Sequence, residues 1–156
     1  MMEFVRVIEL SVRPPEVWTA LWDAQELGRC IPGCQDVQEV EPQRRYQATV
    51  RERVGPYQVE IPIEVLVDPL DEGTRLAVKA SGRDSVLSSP VKVSMIVALA
   101  PRGTGTSLTL RGKADLGGKL AALGQAVIQR KTRDLLSEFA ANLGRLLTGR
   151  SGTTVV

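Results

Sequence analysis

The sequence contains no histidine. Imidazole is the commonest general base, the commonest metal ligand and the side chain that titrates near neutral pH. Its absence excludes Ser-His-Asp and Cys-His catalysis within this chain, together with every zinc pattern that needs imidazole. Cysteine is almost as scarce. Cys30 and Cys34 stand alone, separated by Ile31-Pro32-Gly33. They are too few for a disulfide framework and cannot complete a four-ligand zinc site. They read as packing or turn residues of a protein kept in a reducing compartment. Aromatic residues make up only 4% of the chain. No apolar run approaches the roughly 20 residues that span a bilayer. The opening Met1-Met2-Glu3-Phe4-Val5-Arg6 also lacks the basic and apolar regions of a secretory signal. These absences predict a cytoplasmic protein with no cofactor of its own, whose function does not rest on histidine chemistry.

What is present is ordinary globular material: 156 residues, 43% hydrophobic and 24% charged. This length predicts one domain over 1–149 followed by a short flexible tail over 150–156, and it suffices to bury a core without staples. Phe4 to Leu10 reads as a strand. Pro14-Pro15 then opens a helix with Val17, Trp18, Leu21 and Trp22 on one side, and a second short helix stops at Ile31-Pro32-Gly33-Cys34. From Asp36 to Leu116 the period is two, with turns at Gly55-Pro56, Asp71-Glu72-Gly73 and Gly103-Thr104-Gly105. That pattern predicts an antiparallel meander with one apolar and one polar face. After Gly117-Gly118 the period becomes 3.6, with Leu120, Leu123, Val127, Leu135, Phe139, Leu143 and Leu146 on one stripe. A continuous helix here would be about 45 Å long. Neither the sheet face nor the helix stripe can be buried alone, so the sheet is expected to wrap around the helix. The predicted class is α+β, a helix-grip fold with a curved antiparallel sheet of about 6–7 strands.

The chain also resembles a known family. Glu16-Val17-Trp18-Thr19-Ala20-Leu21-Trp22-Asp23, then Cys30-Ile31-Pro32-Gly33-Cys34 and Val37, look like the opening of the carbon monoxide dehydrogenase G-subunit (CoxG) proteins. Val54-Gly55-Pro56, Gly105-Thr106 with Leu108, and Gly117-Gly118-Lys119-Leu120-Ala121-Ala122-Leu123-Gly124 follow in the family's order, across roughly residues 4–147. The resemblance implies the helix-grip fold of the START and Bet v 1-like proteins. It also implies an accessory role to a molybdenum hydroxylase such as carbon monoxide dehydrogenase. Assembly, membrane recruitment and carriage of a quinone or lipid are the forms that role would take. Some relatives carry a longer C-terminal extension associated with membrane attachment, whereas this sequence has little after Thr148.

A sheet gripping a helix tends to leave an apolar cavity between them. The inward candidates are Tyr46, Val50, Val65, Val78, Val93, Met95 and Leu110 from strands, with Leu123, Val127 and Leu135 from the helix. Taken singly, each reads first as core. The helix stripe is interrupted by six polar residues, Gln129 to Asp134, which puts Lys131 and beside it Asp134 on the inward face. Lys131 is read either as a snorkelling side chain at the sheet edge or as a polar contact for a ligand at the cavity mouth. Glu52 shares the parity of Val50 and Val54, so it is expected to face inward and to pair with a neighbouring arginine. Glu60 and Glu64 are expected to face solvent. A cyclase or dehydratase acting on an aromatic or polyketide substrate would have only Glu52 with Lys131 or Asp134 to work with.

The net charge of +2 conceals an asymmetry. Residues 1–118 carry 14 basic and 16 acidic side chains, whereas residues 119–156 carry six basic and two acidic ones. A basic amphipathic helix can meet an anionic membrane at the inner face or an acidic partner. It equally serves as a solvated face. No density of basic and aromatic residues suits nucleic acid. Three readings stay open: a carrier of a hydrophobic small molecule, an enzyme of the cyclase type, and an interaction module without a cavity.

Overall fold

In the computed structural model, which describes residues 2–151, the period-two segments form one antiparallel sheet of seven strands. The chain runs β1 (Met2–Leu10), α1 (Pro14–Leu21), α2 (Ala24–Cys30), β2 (Cys34–Glu41), β3 (Arg45–Val54) and β4 (Tyr57–Asp71). It continues through β5 (Arg75–Arg83), β6 (Pro90–Arg102), β7 (Gly105–Leu116), α3 (Gly118–Ala121) and α4 (Gln125–Ser151). The strand order is β1-β7-β6-β5-β4-β3-β2. Each step from β2 to β7 is therefore a hairpin, and β1 pairs with β7 at one edge. Helices α1 and α2 carry the chain from that edge to the other. This is the helix-grip fold expected from the sequence.

Local chemistry explains the short helices. Pro14 and Pro15 occupy the first turn of α1, where a missing N–H costs nothing. Asp23 caps α2 by accepting a hydrogen bond from the Glu26 amide at 3.3 Å. The Asn142 side-chain amide of α4 donates to the Cys30 carbonyl at 3.0 Å, so the C-terminus of α2 is tied to the long helix.

Packing is concentrated at the two ends of the grip. Under α1, Leu143 and Leu147 of α4 meet Val17, Trp18, Leu99 and Leu108 in the main core. At the opposite end, Leu120 of α3 packs on Val59 and Ile61 of β4. A loop between β5 and β6 seals this second end through Asp84, which is buried. Its carboxylate accepts from the amides of Glu60 at 2.7 Å and Val86 at 3.0 Å, and also from that of Leu87. Ser89, also buried, accepts from the Leu120 amide at 3.2 Å and so fastens α3 to the same loop.

Two features of the helix differ from expectation. It is not continuous: α3 ends at Ala121 and α4 begins at Gln125. Gly124 lies between them with φ +92°, a left-handed conformation that a right-handed helix cannot contain. In addition, the helix runs to Ser151, into the segment expected to begin a flexible tail at residue 150. The rest of the predicted tail, 152–156, lies outside the described residues.

Candidate ligand-binding cavity

Between the main core and the α3 end, the sheet and α4 do not close on each other. They enclose a cavity of about 510 Å³. Protein interiors pack to a density near 0.75, with few voids larger than a water molecule. An opening of this size is therefore a built space rather than loose packing, and it falls within the range of small-molecule sites, about 300–1,000 Å³. The interaction module without a cavity does not describe this structure.

The predicted cavity residues divide into two groups. Tyr46 and Val50 on β3, Val65 on β4, Val78 on β5, Val93 and Met95 on β6, and Leu110 on β7 all line the space. So do Lys131 and Leu135 on α4. Leu123 and Val127 do not line it. They lie against the β3–β4 turn at Gly55, where they help to close the α3 end. The later positions of the same stripe, Lys131, Leu135 and Phe139, do line it, so the departure is confined to the two positions flanking Gly124. The inward face of α4 is Ile128, Lys131, Thr132, Leu135, Leu136 and Phe139. Asp134, expected beside Lys131, is exposed.

The sequence reading missed the wall formed by the short helices. Leu21, Trp22, Leu27, Ile31, Pro32 and Cys34 all border the space. Trp22 stacks edge-on to the buried Trp18 at a centroid distance of 5.8 Å. The one-sided pattern of α1 was the available signal, but periodicity cannot show that the face ending in Trp22 meets a void.

Glu52 faces inward, but its partner is not an arginine. Lys131 Nζ lies 2.5 Å from Glu52 Oε1, in a pair whose side chains are 25% and 23% exposed. Arg51, on the opposite face of β3, is held by Glu60 Oε2 at 3.1 Å, which leaves Glu52 to the helix. Glu52 and Lys131 are the two charged side chains in the described lining. They sit beside the Ile31–Cys34 turn, where Ile31 is exposed and the cavity reaches solvent.

That turn is fitted to the pair. The Gly33 carbonyl accepts from the Arg51 amide at 2.8 Å, docking the turn on β3. Gly33 has φ +76°, and a Cβ there would meet the Arg51 carbonyl and lie 2.8 Å from Glu52 Oε2. Glycine is required both for the backbone and for the space taken by the carboxylate. The Cys34 thiol borders the cavity, and Cys30 is buried behind it. Burial pushes both thiols above their ordinary value of 9.0, with Glu26 adding to the effect at Cys30. Tyr46 presents its ring to the cavity, and its buried hydroxyl has no hydrogen-bond partner in good geometry. Burial pushes this phenol up as well, and the Glu39 carboxylate facing it from β2 adds to the shift. No group of His, Cys, Asp and Glu able to hold a metal ion occurs among the described residues. A second hollow of about 320 Å³ beside Pro15, Glu16, Thr19 and Leu147 has too few walls to enclose a molecule.

Residues 7–148 match the family described as the G subunit of carbon monoxide dehydrogenase (CoxG). The chain belongs to the CoxG family. No curated protein is matched by the sequence. Among solved structures, a conserved protein from Geobacillus kaustophilus is similar at a TM-score of 0.86 and 23% identity, over 96% of this chain and 97% of that one. A protein from Thermus thermophilus follows at 0.74 and 14% identity, over 96% and 99%. A START superfamily protein from Mycobacterium smegmatis matches at 0.72 and 9% identity, over 94% and 97%. These likenesses establish that the CoxG chain shares the START-type fold. No helix among the described residues is long and apolar enough to cross a membrane, which says nothing of a β-barrel.

Proposed function

We propose that this CoxG-family protein is a non-catalytic carrier that holds a hydrophobic small molecule, a quinone or another lipid, between the sheet and α4. The observation that carries the reading is the apolar cavity of about 510 Å³, with its charged side chains confined to one pair near solvent. A ligand burying about 300 Å² of apolar surface there would gain roughly 7 kcal/mol before the costs of association. Family membership supports an accessory role to a molybdenum hydroxylase such as carbon monoxide dehydrogenase, through assembly, membrane recruitment or delivery of an electron acceptor. Peripheral contact with the inner face of the membrane would use the exposed Arg130, Arg133 and Arg145 of α4, since its apolar face is already committed to the sheet. The test is native mass spectrometry of the purified protein, followed by organic extraction and reloading with a short-chain quinone. A bound lipophile, or stoichiometric uptake of the quinone, is expected. Failure of both would sink the carrier reading.

One observation favours a second reading. Glu52 and Lys131 are a carboxylate and an amine inside a cavity, which a cyclase or dehydratase would need. Against it, the carboxylate is held by the lysine, and the described lining offers no further charged group for a second proton transfer. Turnover of a polyketide-like substrate that is lost in Glu52→Gln would establish the enzyme in place of the carrier.

A further inference from the structure

We propose that Glu52 makes the cavity selective for uncharged lipophiles by occupying the ammonium group of Lys131, so that ligands ending in a carboxylate are refused. The inference rests on the carrier reading and concerns which head group the carrier accepts.

Lys131 alone at the mouth of an apolar cavity would be an attractive site for a fatty acid, whose carboxylate would pair with the ammonium while its chain filled the space. Glu52 changes that. With Oε1 2.5 Å from Nζ, it supplies the counter-charge from within the protein. A ligand carboxylate reaching the same ammonium would stand beside a second carboxylate in a site with no other cation among the described lining residues. Like charges this close disfavour each other strongly when partly desolvated. Glu52 cannot easily swing away either. Its Oε2 occupies the space that Gly33 leaves open, and the Gly33 turn is docked on the adjacent Arg51 amide.

The same pair suits an uncharged polar end. An ammonium group has three N–H donors, so Lys131 can serve Glu52 and still donate to a carbonyl or hydroxyl oxygen. Glu52 can accept from a hydroxyl. Nearby Thr132 is already engaged, its hydroxyl donating to the Ile128 carbonyl at 2.8 Å. Alcohols, phenols, ketones and quinonoid carbonyls therefore fit the mouth without adding charge, whereas free acids do not.

The experiment compares dodecanol and dodecanoate, equal in chain length and different in charge, as competitors of an apolar fluorophore at neutral pH. Wild type, Glu52→Gln, Lys131→Met and the double variant are measured, with thermal melts to confirm folding. Wild type should favour the alcohol by roughly tenfold or more. Glu52→Gln, close in shape, frees Lys131 and should bring dodecanoate to parity or better. The double variant should lose that gain. Equal binding of both ligands to wild type, or an unchanged ratio in a folded Glu52→Gln variant, overturns the proposal while leaving the carrier reading intact. If neither ligand nor the fluorophore binds wild type, the carrier reading fails and takes this inference with it. Equal binding of the two ligands to wild type needs no variant, so that result overturns the proposal even if a substitution misfolds.

Discussion

Gly33 is a single residue on which the mouth of the cavity depends. Its positive φ and its approach to Glu52 Oε2 mean that any side chain there both strains the backbone and displaces the carboxylate. Gly33→Ala should cost about 2 kcal/mol in urea unfolding, in line with other strained left-handed positions. It should also disturb Glu52 enough to weaken ligand discrimination. The two cysteines make a different prediction at this scale. Their thiols keep their protons to higher pH in the folded protein than in the unfolded chain, because burial raises both. A raised folded-state value gives a contribution that is complete below the unfolded-state pKa. It is lost as pH climbs from there through the folded-state value. Stability should therefore fall as pH rises above about 9, with Tyr46 extending the loss towards higher pH. Urea midpoints measured on either side of that pH should converge when Cys30 and Cys34 are both replaced by alanine. An unchanged alkaline slope in that variant would count against the thiols as its source.

Among the elements, the loop between β5 and β6 shows how a segment with little regular structure can be made rigid. Asp84 accepts from three backbone amides and closes the α3 end of the cavity. Asp84→Ala strands those donors away from a partner, and a loss of about 3 kcal/mol in thermal or urea unfolding is expected. A loss within a few tenths would mean that water replaces the carboxylate freely. The sequence around Ser85–Pro90 has no periodicity, so this seal was not legible there. The strands were, because alternation over β3, β4, β5 and β6 marks the inward face residue by residue. The long helix was legible in kind, and in phase from Lys131 onward. Beside Gly124 the inward position is Ile128 rather than Leu123 or Val127, and Thr132 and Leu136 widen the inward face next to the expected Lys131 and Leu135.

For the whole molecule, the open space between sheet and helix makes a prediction that a filled core does not, and a substitution that adds volume tests it. Ala80 on β5 lines the cavity, and Ala80→Phe should project a ring into it. If the space is open, the melting temperature should stay level or rise, since apolar surface is buried without crowding, while affinity for an apolar fluorophore drops about tenfold. A well-packed core would respond in the opposite way, losing about 1–3 kcal/mol to overpacking. The charge asymmetry belongs to this scale too. Arg130, Arg133 and Arg145 lie on the outer face of α4, whereas Lys131 has been taken by the cavity.

Much was decided before folding. The missing histidine, the run of alternating strands, the two short helices and the amphipathic C-terminal segment together specify a helix-grip protein and direct attention to binding. These are local properties: composition and period are carried by neighbours in the chain. The pairing of Glu52 with Lys131 is not local. The two are 79 positions apart, and parity alone left Glu52 facing its arginine neighbours as the expected partners. The existence of a cavity is likewise undetermined by pattern, because an inward valine looks the same whether it meets another side chain or a void. Only the docking of α4 across the curved sheet, held off by α3 at one end and the main core at the other, decides which it is. The separation between sheet and helix is set by how the two ends pack, and no single segment encodes it.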